Sequence, residues 1–220
     1  MRCIYTIVCG VLVIAGCASP GPKTTAGLDE NVPLSHTKDA GTLIYRSPTL
    51  QIGNYKHMLV ENAQVYSGTG AEFGSTSEAD KQRLAEQITK DFTSALTKRN
   101  YPLATQPGPG VVRLRLKLTG VQASRPVAAT ALRLTPLGLG LTAAKEVQGK
   151  SAAFVGSVTI AGELIDAQNE EVLAAFVATE SPIALDVTSG LGTLRAAELG
   201  ISRGADSFVD AMDRALGRTK

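Results

Sequence analysis

Three groups of residues in this 220-residue chain have types and spacings that could do chemistry. Cys17 is a thiol at the end of an uncharged apolar run, Ile4 to Ala15, directly behind the small pair Ala15-Gly16. Exposed there, it is a nucleophile open to covalent modification. Arg113, Arg115 and Lys117 stand two residues apart, which on an extended strand puts three cations on one face. Such a row could meet an anionic partner such as phospholipid headgroups, lipopolysaccharide or an acidic protein surface. Glu163, Asp166, Glu170 and Glu171 gather around a polar turn. They could serve calcium, although carboxylates at a turn without paired ligands are ordinarily solvated.

The remaining candidates lack their context. Gly68-Thr69-Gly70-Ala71-Glu72-Phe73-Gly74 lies between a strand and a helix but is one residue too long for a dinucleotide fingerprint, and its helix begins after the third glycine. It reads as a loop. Gly138, Gly140, Gly190 and Gly192 have no Lys-Ser/Thr beside them to cradle a phosphate. His57 is a lone histidine at the start of a strand, and no serine-nucleophile elbow, zinc-protease helix motif or cysteine pair occurs after Cys17. No catalytic residue, metal or cofactor is expected, and the chain is not expected to be an enzyme.

Charge and composition narrow the class. Lys+Arg 22 against Asp+Glu 20 leaves a net +2, and 44% hydrophobic residues suffice for one folded domain. Nucleic acid is not an expected partner. The balance hides an asymmetry: Phe92 to Lys145 contains no acid, while Glu146 to Glu180 holds six acids against Lys150. Basic and acidic sides of one surface would follow.

The N-terminus carries the firmest signal. Met1-Arg2 is a minimal basic start, and Ile4–Ala15 has the length of a secretory apolar region, short for a membrane span. Its end, Ile14-Ala15-Gly16-Cys17, resembles the lipobox of bacterial lipoproteins. The resemblance implies cleavage between Gly16 and Cys17, diacylglyceryl transfer to Cys17, and, with Ala18 rather than Asp next, the periplasmic face of an outer membrane. The inner membrane is the lesser alternative. Cys3 and Cys9 would leave with the signal peptide of residues 1–16, so the mature chain would have no disulfide. Residues 17–41, rich in Pro, Gly, Ser and Thr, read as the lipidated end and a tether. About 24 such residues extend to roughly 80 Å at full stretch.

A single domain over 42–220 must position the rest. Thr42 onward reads as extended chain with one clear strand near 57–66. Ser75 and Glu78 form a candidate capping box, and Leu84, Ile88, Phe92, Ala95 and Leu96 at helical spacing predict a helix over 77–99, stopped by Asn100 and Pro102. Val112, Leu114, Leu116 and Leu118 alternate with polar residues as a half-buried strand. Residues 154–165 and 172–179 pair as a hairpin, and Ile201, Ala205, Phe208, Val209, Met212 and Leu216 stripe a helix over 194–216, weakened by Gly200 and Gly204. The expected class is α+β, a mainly antiparallel sheet of about four to five strands with two helices packed on one face. Val127–Ala144, rich in Ala and Leu, reads either as a structural cover or as an interaction segment.

The lipobox, Tyr55-Lys56-His57-Met58-Leu59, the Pro107-Gly108-Pro109-Gly110 turn into Val112-Arg113-Leu114-Arg115, and Phe154-Val155-Gly156 with the Asp166 turn and Val172-Leu173-Ala174-Ala175 together resemble the bacterial lipoproteins of domain-of-unknown-function family thirty-three-thirteen. That resemblance implies fold and address and brings no catalytic residues. The expected role is a lipid-anchored binding or assembly module facing the periplasm, with an envelope protein or anionic lipid as partner. The rival expectation is a periplasmic hydrolase with a dispersed active site.

Overall fold

The computed structural model describes residues 26–28, 32–37, 41–122, 156–181 and 194–218. Cys17 and the lipobox, the whole of 17–25, and the Ala/Leu-rich 127–144 lie outside the described residues.

The strands and helices run β1 (Ser35–His36), β2 (Thr42–Arg46), β3 (His57–Val60), β4 (Gln64–Val65), α1 (Glu78–Lys98), β5 (Val111–Gln122), β6 (Ser157–Asp166), β7 (Val172–Glu180) and α2 (Arg195–Ala215). One sheet takes them in the order β1-β2-β7-β6-β5-β3, with β4 also on β5. The class is α+β as expected, and most pairings are antiparallel. The sheet has seven strands rather than four or five, because the chain near 57–66 makes two short strands and both β1 and β2 join beside β7. Strands β3 and β4 run parallel to β5, and α1 makes the crossover between them. A parallel pair needs such a crossover, since a tight turn can only reverse the chain.

Strand β5 is the axis of the sheet. Its even-numbered Val112, Leu114, Leu116 and Leu118 are buried toward the helices, and its odd-numbered Arg113, Arg115 and Lys117 point to the other face. The register Leu114↔Leu164 and Leu116↔Gly162↔Phe176 carries the same division across β6 and β7. An irregularity between Leu118 and Gly120 interrupts the ladder. There Glu72 supplies the pairing, its N–H on Thr119 O at 2.9 Å and its carbonyl on Val121 N at 2.8 Å. On the far side of β3, Met58 N donates to Pro102 O at 2.9 Å and Ala104 N to Met58 O at 2.9 Å, which covers an edge that would otherwise template foreign strands.

Helix α1 buries Leu84, Ile88, Phe92 and Leu96 on the stripe its spacing predicted. Its cap differs from expectation: Ser77, not Ser75, accepts from Asp80 N at 3.2 Å. Cap geometry requires the hydroxyl beside the first free N–H groups, and the helix begins at Glu78. Asn100 (φ 57) ends it in the left-handed region, with Tyr101 N on Leu96 O at 3.0 Å. The Phe92 and Phe208 centroids are 5.6 Å apart and those of Phe208 and Phe176 5.8 Å, so rings from α1, α2 and β7 meet in one stack. Full burial of the Phe92 side chain contributes about 1.5–3 kcal/mol.

Gly200 lies close against the sheet: a Cβ there would stand 2.7 Å from Val158 Cγ1 and 3.2 Å from Glu180 O. At Gly204 the nearest atom would be 3.6 Å away, at the flexible Glu180 side chain. Gly200→Ala is therefore expected to lose about 1–3 kcal/mol through overpacking, despite the gain in helix propensity. Gly204→Ala is expected to gain up to about 1 kcal/mol. Urea midpoints of the two variants against the parent check both signs.

Candidate functional site

Arg113, Arg115 and Lys117 do share one face of β5, as their spacing predicted, but their charges are engaged within the fold. Arg113 pairs with Glu61 at 3.2 Å and closely with Glu170. Arg115 pairs with Glu61 at 3.2 Å and with Glu163 at 3.7 Å. Lys117 Nζ donates to Gly27 O at 2.7 Å. Glu61 sits between both guanidiniums, delivered there by the segment linking β3 and β4. The two arginines thus belong to an ion-pair network with Glu61, Glu163 and Glu170, and Lys117 is held by a backbone carbonyl. Sequence spacing placed the three side chains together, and only the register Arg115↔Glu163 and the β3–β4 link reveal where their counter-charges lie.

The acidic hairpin likewise separates into individual duties. Asp166 Oδ1 accepts from Gln168 N at 2.7 Å, shaping the turn, while Oδ2 accepts from the Tyr55 hydroxyl at 2.7 Å. Glu170 serves Arg113, Glu171 accepts from Thr49 at 2.9 Å, and Glu163 is buried in the sheet face. The four carboxylates do not converge.

A groove among the described residues lies elsewhere, at the end of the sheet where β5 begins. Segments 52–58 and 101–102, Val112 of β5 and the C-terminal end of α2 enclose a half-open groove of about 380 Å³. Its floor is Met58, Val112, Tyr101 and Met212, all buried, and Ile52 and Leu216 extend the apolar wall. Lys56, His57 and Arg218 stand exposed at its rim. His57 is thereby placed at a groove mouth, not in a catalytic constellation. The two methionines give the floor flexible, polarizable surface that adapts to an apolar occupant.

Polar groups around the groove hold its walls. Tyr101 donates to Asp213 Oδ1 at 2.7 Å, and Arg99 donates to Asp213 Oδ2 at 2.6 Å and reaches Asp210 at 2.5 Å. The Arg218 guanidinium lies 5.0 Å from the Tyr101 ring centroid. With Arg83–Glu198 at 3.2 Å at the other end, these pairs show α1 and α2 running in the same direction. Burial, and then the hydrogen bond to Asp213, pushes the Tyr101 hydroxyl up to about 12. Burial and the bond to Asp166 do the same for Tyr55, also to about 12. The Gln168 N–H, and then the Tyr55 hydroxyl, hold the Asp166 carboxyl below its ordinary 3.8. Sequence reading missed the groove because its lining comes from four separated segments; Tyr55, Lys56, His57 and Met58 stand adjacent in sequence without any periodic signal.

These titrations predict stability at both ends of the pH range. Asp166 binds its proton more weakly in the folded state, so its contribution is present above 3.8 and is lost as pH falls through the lower folded value. The two phenols bind theirs more tightly, so their contribution is present below 10.0 and is lost as pH climbs through about 12. Asp166→Asn is expected to flatten the acid limb and Tyr101→Phe the alkaline limb of urea midpoint against pH. Separately, Arg115→Met removes a cation from buried Glu163 and is expected to cost about 1–3 kcal/mol, read as a lowered Tm.

No curated protein matches this chain. Among solved structures it is similar to a PelC dodecamer from Paraburkholderia phytofirmans, with 10% identity over 75% of this chain and 94% of that one and a TM-score of 0.38. It is also similar to protein XCC0632 from Xanthomonas campestris, a member of the DUF330 family, with 10% identity over 79% and 92% of the two chains and a TM-score of 0.41. The model of one family matches residues 29–208, which span every strand and most of α2. The chain belongs to that family, the proteins of unknown function termed DUF3313.

Proposed function

We propose that this chain is a lipid-anchored cell-envelope protein that works as a non-catalytic binding or assembly module at the periplasmic face of the outer membrane. One observation carries the reading: Ile14-Ala15-Gly16-Cys17 closes a short apolar run that follows a basic N-terminus. Diacylglycerol on Cys17 together with an acyl chain on its amino group meets the two-signal requirement for stable anchoring, so the folded domain needs no membrane-penetrating surface of its own. The groove supports the binding role. It joins an apolar floor to a basic rim at Lys56, His57 and Arg218, a combination that recognises an apolar group carrying negative charge.

Cys17→Ser is expected to abolish incorporation of labelled palmitate and to move the protein out of the membrane fraction. Ala18→Asp is expected to shift it from outer to inner membrane on a density gradient. Palmitate incorporation undiminished in Cys17→Ser would sink the anchor. For the groove, the exposed pair Lys56→Glu with His57→Glu is expected to reduce the yield of in-cell crosslinked partners several-fold, with Tm within about 2 °C of the parent. Equal yields would remove the groove from the binding role.

A further inference from the structure

The helices cover one face of the sheet, and a strap from the N-terminal side crosses the other. Ala26 is buried, and Gly27 (φ 87) is set so deep that a Cβ would stand 2.7 Å from Thr119 Cγ2 and 3.3 Å from Ala161 Cβ. A left-handed backbone and this contact both call for glycine. The Gly27 carbonyl accepts the 2.7 Å bond from Lys117 Nζ. Leu28 and Leu34 then pack against Leu43, Ala161 and Val177, and β1 pairs with β2. The described residues of the segment that composition reads as free tether, 26–28 and 32–37, are thus docked on the domain.

We propose that this strap fixes which side of the domain meets the bilayer: the face of the sheet opposite α1 and α2 lies next to the membrane surface, and α1 and α2 face away from it. The proposal rests on the reading of Cys17 as the lipidated residue. From Cys17 to Ala26 the chain spans nine residue steps, a reach of about 30 Å when fully extended. A domain of this size has a radius of gyration of about 16 Å, so the path round its surface from sheet face to helix face is roughly 60 Å. The anchor cannot reach the bilayer from beneath the helices while the strap stays docked. Charge does not oppose the arrangement, because Arg113 and Arg115 on this face are paired with Glu61, Glu163 and Glu170.

The test uses the full lipidated chain in phosphatidylethanolamine/phosphatidylglycerol vesicles carrying a headgroup-labelled acceptor lipid. A donor dye is placed on a single added cysteine, either Tyr45→Cys on the sheet face or Ser207→Cys on the exposed side of α2. Two layers of about 10 Å separate these positions, and transfer is expected to be about two-fold stronger from residue 45. A second form, with about 20 Gly/Ser residues inserted between Pro22 and Lys23, leaves the fold untouched and lengthens the reach, and its ratio is expected to fall toward one. Equal transfer from the two positions in the unextended, vesicle-bound chain overturns the proposal and leaves the anchor standing. A two-fold ratio that survives the insertion overturns the strap as its cause. Failure to sediment with vesicles, with no palmitate incorporated, overturns the anchor and the proposal together.

Discussion

The alternation along β5 is the constraint on which the rest of the molecule depends. A twelve-residue strand with Val112, Leu114, Leu116 and Leu118 on one side and Arg113, Arg115 and Lys117 on the other can be satisfied only by different partners on its two faces. The apolar side calls for both helices. The charged side is too enclosed to leave guanidiniums without counter-charge, and it receives Glu61, Glu163 and Glu170. A slip of one residue in the pairing with β6 would send leucines to the charged face and arginines under the helices. Register, helix placement and the strap bonded to Lys117 therefore follow from one pattern.

Close packing on the helix side depends on small residues as much as on large ones. Gly162 leaves the space that the Phe176 ring occupies directly opposite it, and that ring in turn meets Phe208 of α2. Gly200 lets the first half of α2 approach Val158 and Glu180. At the other end of the helices, Arg99, Asp213 and Tyr101 bind α1, α2 and the following loop into one wall. The groove is what remains where that wall stops short of β3. Its position is a by-product of how the helix ends are tied, which is why it has a well-defined apolar floor although no single segment encodes it.

Much of the fold was legible in the sequence where periodicity was long enough to read. The stripe Leu84, Ile88, Phe92, Leu96 and the stripe Ile201, Ala205, Val209, Met212 located both helices, because a buried helical face repeats over several turns. The long strands β5, β6 and β7 were legible for the same reason. The two-residue β1 was not, since two residues carry no period, and β4 was legible only as a continuation of the strand near 57–66. Ser35 and His36 sit in a polar stretch of tether-like composition, yet they pair with Leu43 and Ile44 because β2 offers an open edge. The competing cap residues Ser75 and Ser77 differ only in which one meets the first free N–H groups, and helix docking decides that.

The sequence by itself determined the local chemistry: where helices and long strands form, the α+β class, the side-by-side placing of Arg113, Arg115 and Lys117, and the thiol of Cys17 behind the small pair Ala15-Gly16. These follow from spacing along one stretch of chain, which needs no distant partner. Tertiary structure alone decided which charges neutralise that basic row, where the groove opens, and that residues from Ala26 lie across the sheet face. Each of these joins segments far apart in sequence, such as Gly27 with Lys117, or Tyr101 with Asp213. Their meeting depends on strand order and on which distant segment fills each place, which local residue pattern does not specify.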